Sequence, residues 1–234
     1  MKWLDFWNAD TPIYVNDRHK AVHYRLIAGD ILRLLPGPAA RVMDYGCGEA
    51  LCADQVASRC RHLYLCDGAP FVRDRLRARV SALGNVTVLA PEELETIPAG
   101  SLDLIVANSL IQYLSHDELK SALSAWRRLL ASGGKLVIAD VIPHNVSALT
   151  DVAALLRFAG RHGFLLAAAS GLARTFFSDY RRVRAELGLT HYDESELLAI
   201  LRGAGFSGER LAWNFGHNPA RMAFAATPAA AGNA

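Results

Sequence analysis

Two acids and two glycines define the chemistry that this sequence is equipped to do. In Arg41-Val42-Met43-Asp44-Tyr45-Gly46-Cys47-Gly48-Glu49-Ala50 a short apolar run meets an acid, passes glycines at alternate positions and enters a helix-like stretch. Such glycines let the backbone approach a bound group and take angles that a side chain forbids, which is how nucleotide-type cofactors are cradled at strand ends. Asp67 closes the next apolar run, Leu63-Tyr64-Leu65-Cys66, twenty-one positions beyond Gly46. That is the separation at which a carboxylate on the following strand reaches the two hydroxyls of a ribose. Three further groups suit proton transfer: His19, His23 and Asp140. His19 and His23 stand four apart, a spacing that also suits a metal, but no Glu follows the first and no third ligand is in view, so no metal is expected.

The elements that must position these groups follow from periodicity and breakers. A helix capped by Asn16 or Asp17 runs to Leu35 and stops at Pro36-Gly37-Pro38, with Val22, Leu26, Ile27, Ile31 and Leu34 on its apolar face. The glycine turn leads into a helix over 51–59, and strands follow over 61–66, 85–89, 101–109 and 135–139. Between them lie an arginine-rich helix from Pro70, read as a solvated face, and a helix over 116–131 ended by Ser132-Gly133-Gly134. An apolar, mostly helical block over 146–189 interrupts the return to the sheet and carries Phe158, Phe164, Phe176, Phe177 and Tyr180. Asp193 caps a last helix, and apolar runs over 211–215 and 222–226, joined by Gly216-His217-Asn218-Pro219, close the chain as a hairpin.

From Ala40 to Gly134 the pattern resembles the class I S-adenosylmethionine-dependent methyltransferases strand by strand. Asp44 with the glycine turn matches motif I, Asp67 matches the ribose-binding acid, and Ser101-Leu102-Asp103-Leu104-Ile105-Val106-Ala107-Asn108-Ser109 is similar to the family's FDxVxxN strand. It departs at Ala50, where the family usually has a third glycine; the extra methyl is expected to loosen packing slightly and leave the site intact. The fold implied is a three-layer Rossmann-like α/β sheet, mostly parallel, with an antiparallel last strand and a helical lid insertion. One domain over 1–234 would divide into an N-terminal helical cover (1–38), a cofactor-binding core (39–143), the insertion (144–190) and a C-terminal helix and hairpin (191–228).

The resemblance implies S-adenosylmethionine as cofactor, with S-adenosylhomocysteine as product, held by Asp44, Tyr45, Gly46, Gly48, Asp67, Gly68, Glu92, Asn108 and Ser109. Pro91 stands where many relatives have an adenine-binding aspartate, so Glu92, Glu93 or backbone groups are left to read the base. A small, partly apolar acceptor would be lined by Tyr14, Gln112, Tyr113, Phe158, Phe176 and Tyr180, with His19, His23 or Asp140 as proton acceptor. Asn/Asp-Pro-Pro-Tyr is absent after the fourth strand, which disfavours a nucleobase amine as target. Two rivals remain: a non-catalytic S-adenosylmethionine-binding module, since fold alone does not fix activity, and an NAD-dependent dehydrogenase, whose fingerprint prefers a third glycine where this chain has Glu49-Ala50.

Composition narrows the partners. The 234 residues are 52% hydrophobic and 21% charged, enough for a substantial core. A formal net charge of +2 is too small for a nucleic-acid stripe, so a small-molecule partner is expected and nucleic acid is not. Cys47, Cys52, Cys60 and Cys66 form no Cys-x-x-Cys pair and read as reduced core thiols of a cytoplasmic protein. No signal peptide or membrane span is expected, because the most apolar stretch of the insertion, 163–172, is about half the length that a bilayer requires. A homodimer through the insertion is its competing use.

Overall fold

The computed structural model describes residues 3–8, 14–176 and 188–229. Tyr180 and Phe177 lie outside them, and Phe176 is described only as the last residue of a helix. Seven strands form one sheet: β1 (Arg41–Tyr45), β2 (His62–Cys66), β3 (Val86–Leu89), β4 (Leu102–Asn108), β5 (Leu130–Val141), β6 (Phe206–Arg210) and β7 (Met222–Pro228). Their order is β3-β2-β1-β4-β5-β7-β6. Strands β1 to β5 pair in parallel, and β7 runs antiparallel to both β5 and β6.

Strands covered on both faces need near-continuous apolar runs, and β4 and β5 supply them: Leu104, Ile105, Val106, Leu136, Val137 and Ile138 are all buried. One face is covered by α2 (Asp17–Leu34), α3 (Ala53–Ala57) and α4 (Pro70–Val80), through Ile27, Ile31, Val56, Leu76 and Val80. The other is covered by α5 (His116–Leu129) and α8 (Glu194–Gly203), through Leu119, Leu123, Trp126, Leu197 and Leu201. This is the three-layer arrangement read from the sequence.

Local signals set the ends. The Asn16 side chain accepts the His19 N–H at 2.8 Å and starts α2. Ser115 and Glu118 form a capping box on α5. Among the described residues the remaining α-helices are a short α1 (Trp3–Trp7) and the insertion's α6 (Ala148–His162) and α7 (Leu165–Phe176). Phe158 and Phe164 of the insertion pack against Val15, Val22 and Leu26, joining it to the start of α2.

Three element boundaries differ from the sequence reading, one being that the helix over 116–131 ends at Leu129 and its expected stop, Ser132-Gly133-Gly134, lies inside β5, which is longer than the expected 135–139. The helix expected over 51–59 is only the five residues of α3, preceded by turns. The first strand of the closing hairpin is Phe206–Arg210, not 211–215. At the edge of a sheet one buried side chain, Phe206, suffices to anchor a strand, and the charged Glu209 and Arg210 guard that edge against pairing. Trp213 and Phe215 of the expected strand leave the sheet and stack on each other at 5.4 Å. They pack on the side of the sheet that carries α2, where Arg33 lies over the Trp213 ring. Residues 211–221 are thereby free to form a long loop at the carboxyl ends of the strands.

Candidate active site

Register brings the carboxyl ends of β1, β2, β4 and β5 to one rim: Tyr45 opposes Cys66, and Asn108 opposes Ala139. At that rim stand the backbone strains. Among the described residues, the non-glycine positions with positive φ are Ala50 (39°), Ser109 (52°) and Asp140 (57°), which follow β1, follow β4 and lie near the end of β5. Strained backbone of this kind collects where a fold is held in place for function. Ala50 thus corrects one expectation: it is buried, and its cost falls on a left-handed backbone rather than on looser packing.

The glycine turn is built to exclude side chains. Gly46 has φ 76° and Gly48 φ 55°; a Cβ on the first would stand 2.9 Å from Leu110 Cδ1, and on the second 2.8 Å from the Tyr24 hydroxyl. The Gly48 N–H donates to Asp67 Oδ2 at 3.0 Å and the Ala69 N–H to Oδ1 at 2.9 Å, which aims the carboxylate and leaves each oxygen a lone pair. Arg73 donates to the carbonyls of Asp67 and Gly68 and fixes the turn behind them. Asp44 is buried next to this turn. Burial, then the charge of Asp67, pushes its carboxyl up to about 7. Tyr45 offers the cleft only backbone, because its ring packs edge-on against Trp126 at 5.1 Å.

Helix α2 closes over the turn. The Tyr24 hydroxyl accepts the Glu49 N–H at 2.9 Å and the Tyr14 hydroxyl as well, so its own proton is left to donate. Lys20 and Arg79 both pair with the Glu49 carboxylate. In the 3-10 turn after β3, Glu93 is spent on the Ala90 N–H at 2.6 Å, whereas Glu92 stays exposed. Past β4, Asn108 donates to Ser109 Oγ at 3.2 Å, and that hydroxyl donates to Asp140 Oδ2 at 2.6 Å. Asn108 Oδ1 and Gln112 Oε1 are buried with no partner. Two orphaned carbonyl oxygens at the rim call for donors from a ligand.

The proposed acceptor side joins α2, α6 and the 211–221 loop. His19 is locked: its Nδ1 accepts the Val15 N–H at 3.3 Å and its ring stacks on Phe164 at 5.1 Å. Burial and the neighbouring His217 bring it down to about 4. His23 lies beside Tyr14 and Tyr24, and burial, then His19 and His217, bring it down to about 3. Phe158 is stacked on His217 at 4.4 Å. Tyr113 packs instead against Trp3 and Trp7. The sequence reading missed the loop's contribution. Asn214 Oδ1 accepts the Asp140 N–H at 2.9 Å, Asp30 accepts the Gly216 N–H at 2.9 Å, and Asp151 of α6 takes Asn218 at 2.9 Å and Arg221 at 2.8 Å. The only available signal was the polar Gly216-His217-Asn218-Pro219, which reads as a turn. Among the described residues no group of three His, Cys, Asp or Glu side chains is arranged to hold a metal.

Comparison with known proteins matches residues 42–134 to a model described as a methyltransferase domain. That stretch, from β1 to the start of β5, is similar to the cofactor-binding part of methyltransferases. Nodulation protein S of Rhizobium tropici is 27% identical over 60% of the chain and 57% of its own length, so the matched part spans little more than half of that relative. Among solved structures, the methyltransferase chain from a complex with the Haloferax volcanii Trm112 activator has a TM-score of 0.61 at 15% identity, over 98% of this chain and 99% of that one. A complex of DhpI with S-adenosylhomocysteine has a TM-score of 0.56 at 15% identity, over 97% and 95%. At such identities the solved structures speak for the fold. Their sheets share the architecture that carries the glycine turn and Asp67 here.

Proposed function

We propose that the protein moves a methyl group from S-adenosylmethionine to a small, partly apolar acceptor. The observation that carries this is Asp67, fixed by two backbone N–H groups beside the glycine turn, at the rim of strand ends that α2 crosses with Tyr24 on that turn. Asp67 takes the ribose hydroxyls, Asp44 faces the cofactor's cationic end, and the free proton of Tyr24 suits its carboxylate. The sulfonium methyl is already electrophilic, so the protein's main task is to align nucleophile, methyl and sulfur and to exclude water. Asp140, held by Ser109 and Asn214 and raised by burial, is the candidate proton acceptor; His23, brought down to about 3, is a weak base and serves to position the acceptor. His19 serves as a packed support.

Apolar burial against Phe158 supplies affinity for the acceptor, and few polar groups set its orientation. No helix among the described residues is long and apolar enough to cross a membrane. Leu149 and Leu166 of the insertion face outward at 79% and 87% exposure, and self-association there is the competing use of that element. The test is incubation with labelled S-adenosylmethionine and extracts of the source cell, with Asp67→Ala as control. A labelled small product that depends on Asp67 is expected. Cofactor binding with no labelled product from any extract would favour the non-catalytic module.

A further inference from the structure

The rim between β4 and β5 presents hydrogen-bond acceptors. Ser109 and Asp140, both in left-handed backbone, meet there, and the Ser109 hydroxyl gives its one proton to Asp140 Oδ2 at 2.6 Å. That hydroxyl can then only accept from Asn108, whose Nδ2 stands 3.2 Å away, so the amide's orientation is fixed and Oδ1 is its free end. Oδ1 is buried without a partner. Asn214 takes the Asp140 N–H at 2.9 Å, but its own amide hydrogens go to the carbonyls of Phe215 at 2.9 Å and Asn218 at 3.2 Å. It has none left for the carboxylate. Among the described residues, Asp140 thus keeps one oxygen for a ligand, and its side chain is only partly buried. Four positions past Asn108, Gln112 Oε1 is a second buried carbonyl oxygen without a donor, on a residue 4% exposed. The Gln112 backbone is anchored, because its carbonyl accepts the Thr190 N–H at 3.0 Å.

A buried carbonyl oxygen without a donor costs free energy in the empty protein, and two of them beside a carboxylate suit a ligand that brings several hydrogens. Candidate nucleophiles differ in what they bring. An activated carbon brings none, a phenol or alcohol brings one, and a carboxylate is repelled by Asp140. An ammonium group brings two or three, with a charge that Asp140 matches. We propose that the methyl acceptor is a primary or secondary amine, held in its ammonium form by Asp140, Asn108 Oδ1 and Gln112 Oε1. This rests on the methyl transfer proposed above. Asp140 takes one proton from the ammonium, the freed nitrogen lone pair attacks the methyl carbon, and the pair of the breaking carbon–sulfur bond returns to sulfur. The products are a methylated ammonium and S-adenosylhomocysteine, and the proton on Asp140 passes to solvent when they leave.

The test uses S-adenosylmethionine with a heavy-carbon methyl and an extract of the source cell grown on heavy nitrogen. Magnetic resonance of the methylated product should show the methyl carbon coupled directly to nitrogen. A methyl bonded to oxygen or to carbon overturns the amine. No methylated product from any extract, with cofactor still bound, overturns the methyl transfer and the amine with it. Gln112→Leu gives a second readout, because it relieves the cost of an orphaned carbonyl while depriving the ammonium of a partner. A higher melting temperature, a KM for the acceptor raised about tenfold and S-adenosylhomocysteine affinity within about twofold are expected. A lower melting temperature with an unchanged KM would show that Gln112 serves the fold alone, and its assignment to the amine fails. The isotope measurement needs only the wild-type protein and decides the acceptor's class should the variant fold poorly.

Discussion

Asp44 is buried near Asp67, and burial followed by that neighbour's charge makes it hard to ionise. A cationic ligand reverses that penalty for Asp44. The affinity for S-adenosylhomocysteine, which carries an ammonium group, is therefore expected to weaken by up to about tenfold per unit as pH falls below about 7. Calorimetry from pH 5.5 to 8 checks this, and Asp44→Asn should flatten the profile. The same substitution should stabilise the ligand-free protein above pH 7. The folded-state pKa is raised above its unfolded value, so stability falls as pH climbs from about 4 to 7, and removing the charge recovers on the order of 3 kcal/mol, read as a higher melting temperature. On the proposed assignment, Asp67→Ala takes a charged acceptor away from the ribose hydroxyls. It should cost roughly 1.5 to 3 kcal/mol, about tenfold to a hundredfold in affinity. These acids and glycines were legible in the sequence because their chemistry is local: a left-handed turn needs glycine, and the acid follows at a fixed chain distance. Tyr24 was harder to read, since its role depends on α2 lying across a turn more than twenty residues away.

At the scale of elements, the positions of the parallel strands followed from apolar periodicity, the layers from the family resemblance, and the caps on α2 and α8 from single polar residues. The edge strand did not. Phe206–Arg210 lacks the apolar density of 211–215, and only a long-range comparison tells that Trp213 and Phe215 belong against α2. That misplacement hid the loop as a site element. Its clasp is Asp151, which binds both Asn218 and Arg221 and so joins α6 to the sheet. Arg221 is about nine-tenths buried, whereas Asp151 is partly exposed. Asp151→Asn should therefore destabilise the protein by about 2 kcal/mol, below the full cost of an unpaired buried charge. Because Phe158 and His217 face each other across this clasp, the same variant should raise the acceptor's KM and leave S-adenosylhomocysteine affinity within about twofold. Chemical denaturation and steady-state kinetics separate the two effects.

The whole molecule carries opposing acid sensitivities. His19 and His23 are brought down to about 4 and 3 when folded, against about 6.5 when unfolded. Their contribution is complete above pH 6.5 and is lost as pH falls through 6 toward 4, while protonation of Asp44 works the other way. His217, also lowered by burial, acts with them, whereas Asp30, Asp67 and Asp140, all raised by burial, act with Asp44. His23→Asn should therefore shift the change in melting temperature between pH 7 and pH 5 toward greater acid tolerance than in the wild type, which thermal melts check.

The position of β7 has a kinetic consequence. It fills the gap between β5 and β6, yet it begins at Met222, eighty-one positions after β5 ends at Val141. Until that pairing forms, β5 is a bare edge whose Leu136, Val137 and Ile138 are destined to be fully covered, and β6, which pairs with β7, has no ladder to join. Closing so long a loop is slow, and an open apolar edge recruits neighbouring chains while it waits. Refolding yield should therefore fall steeply with protein concentration, and the parallel half around the glycine turn should gain protection from hydrogen exchange before β5 and β7 do.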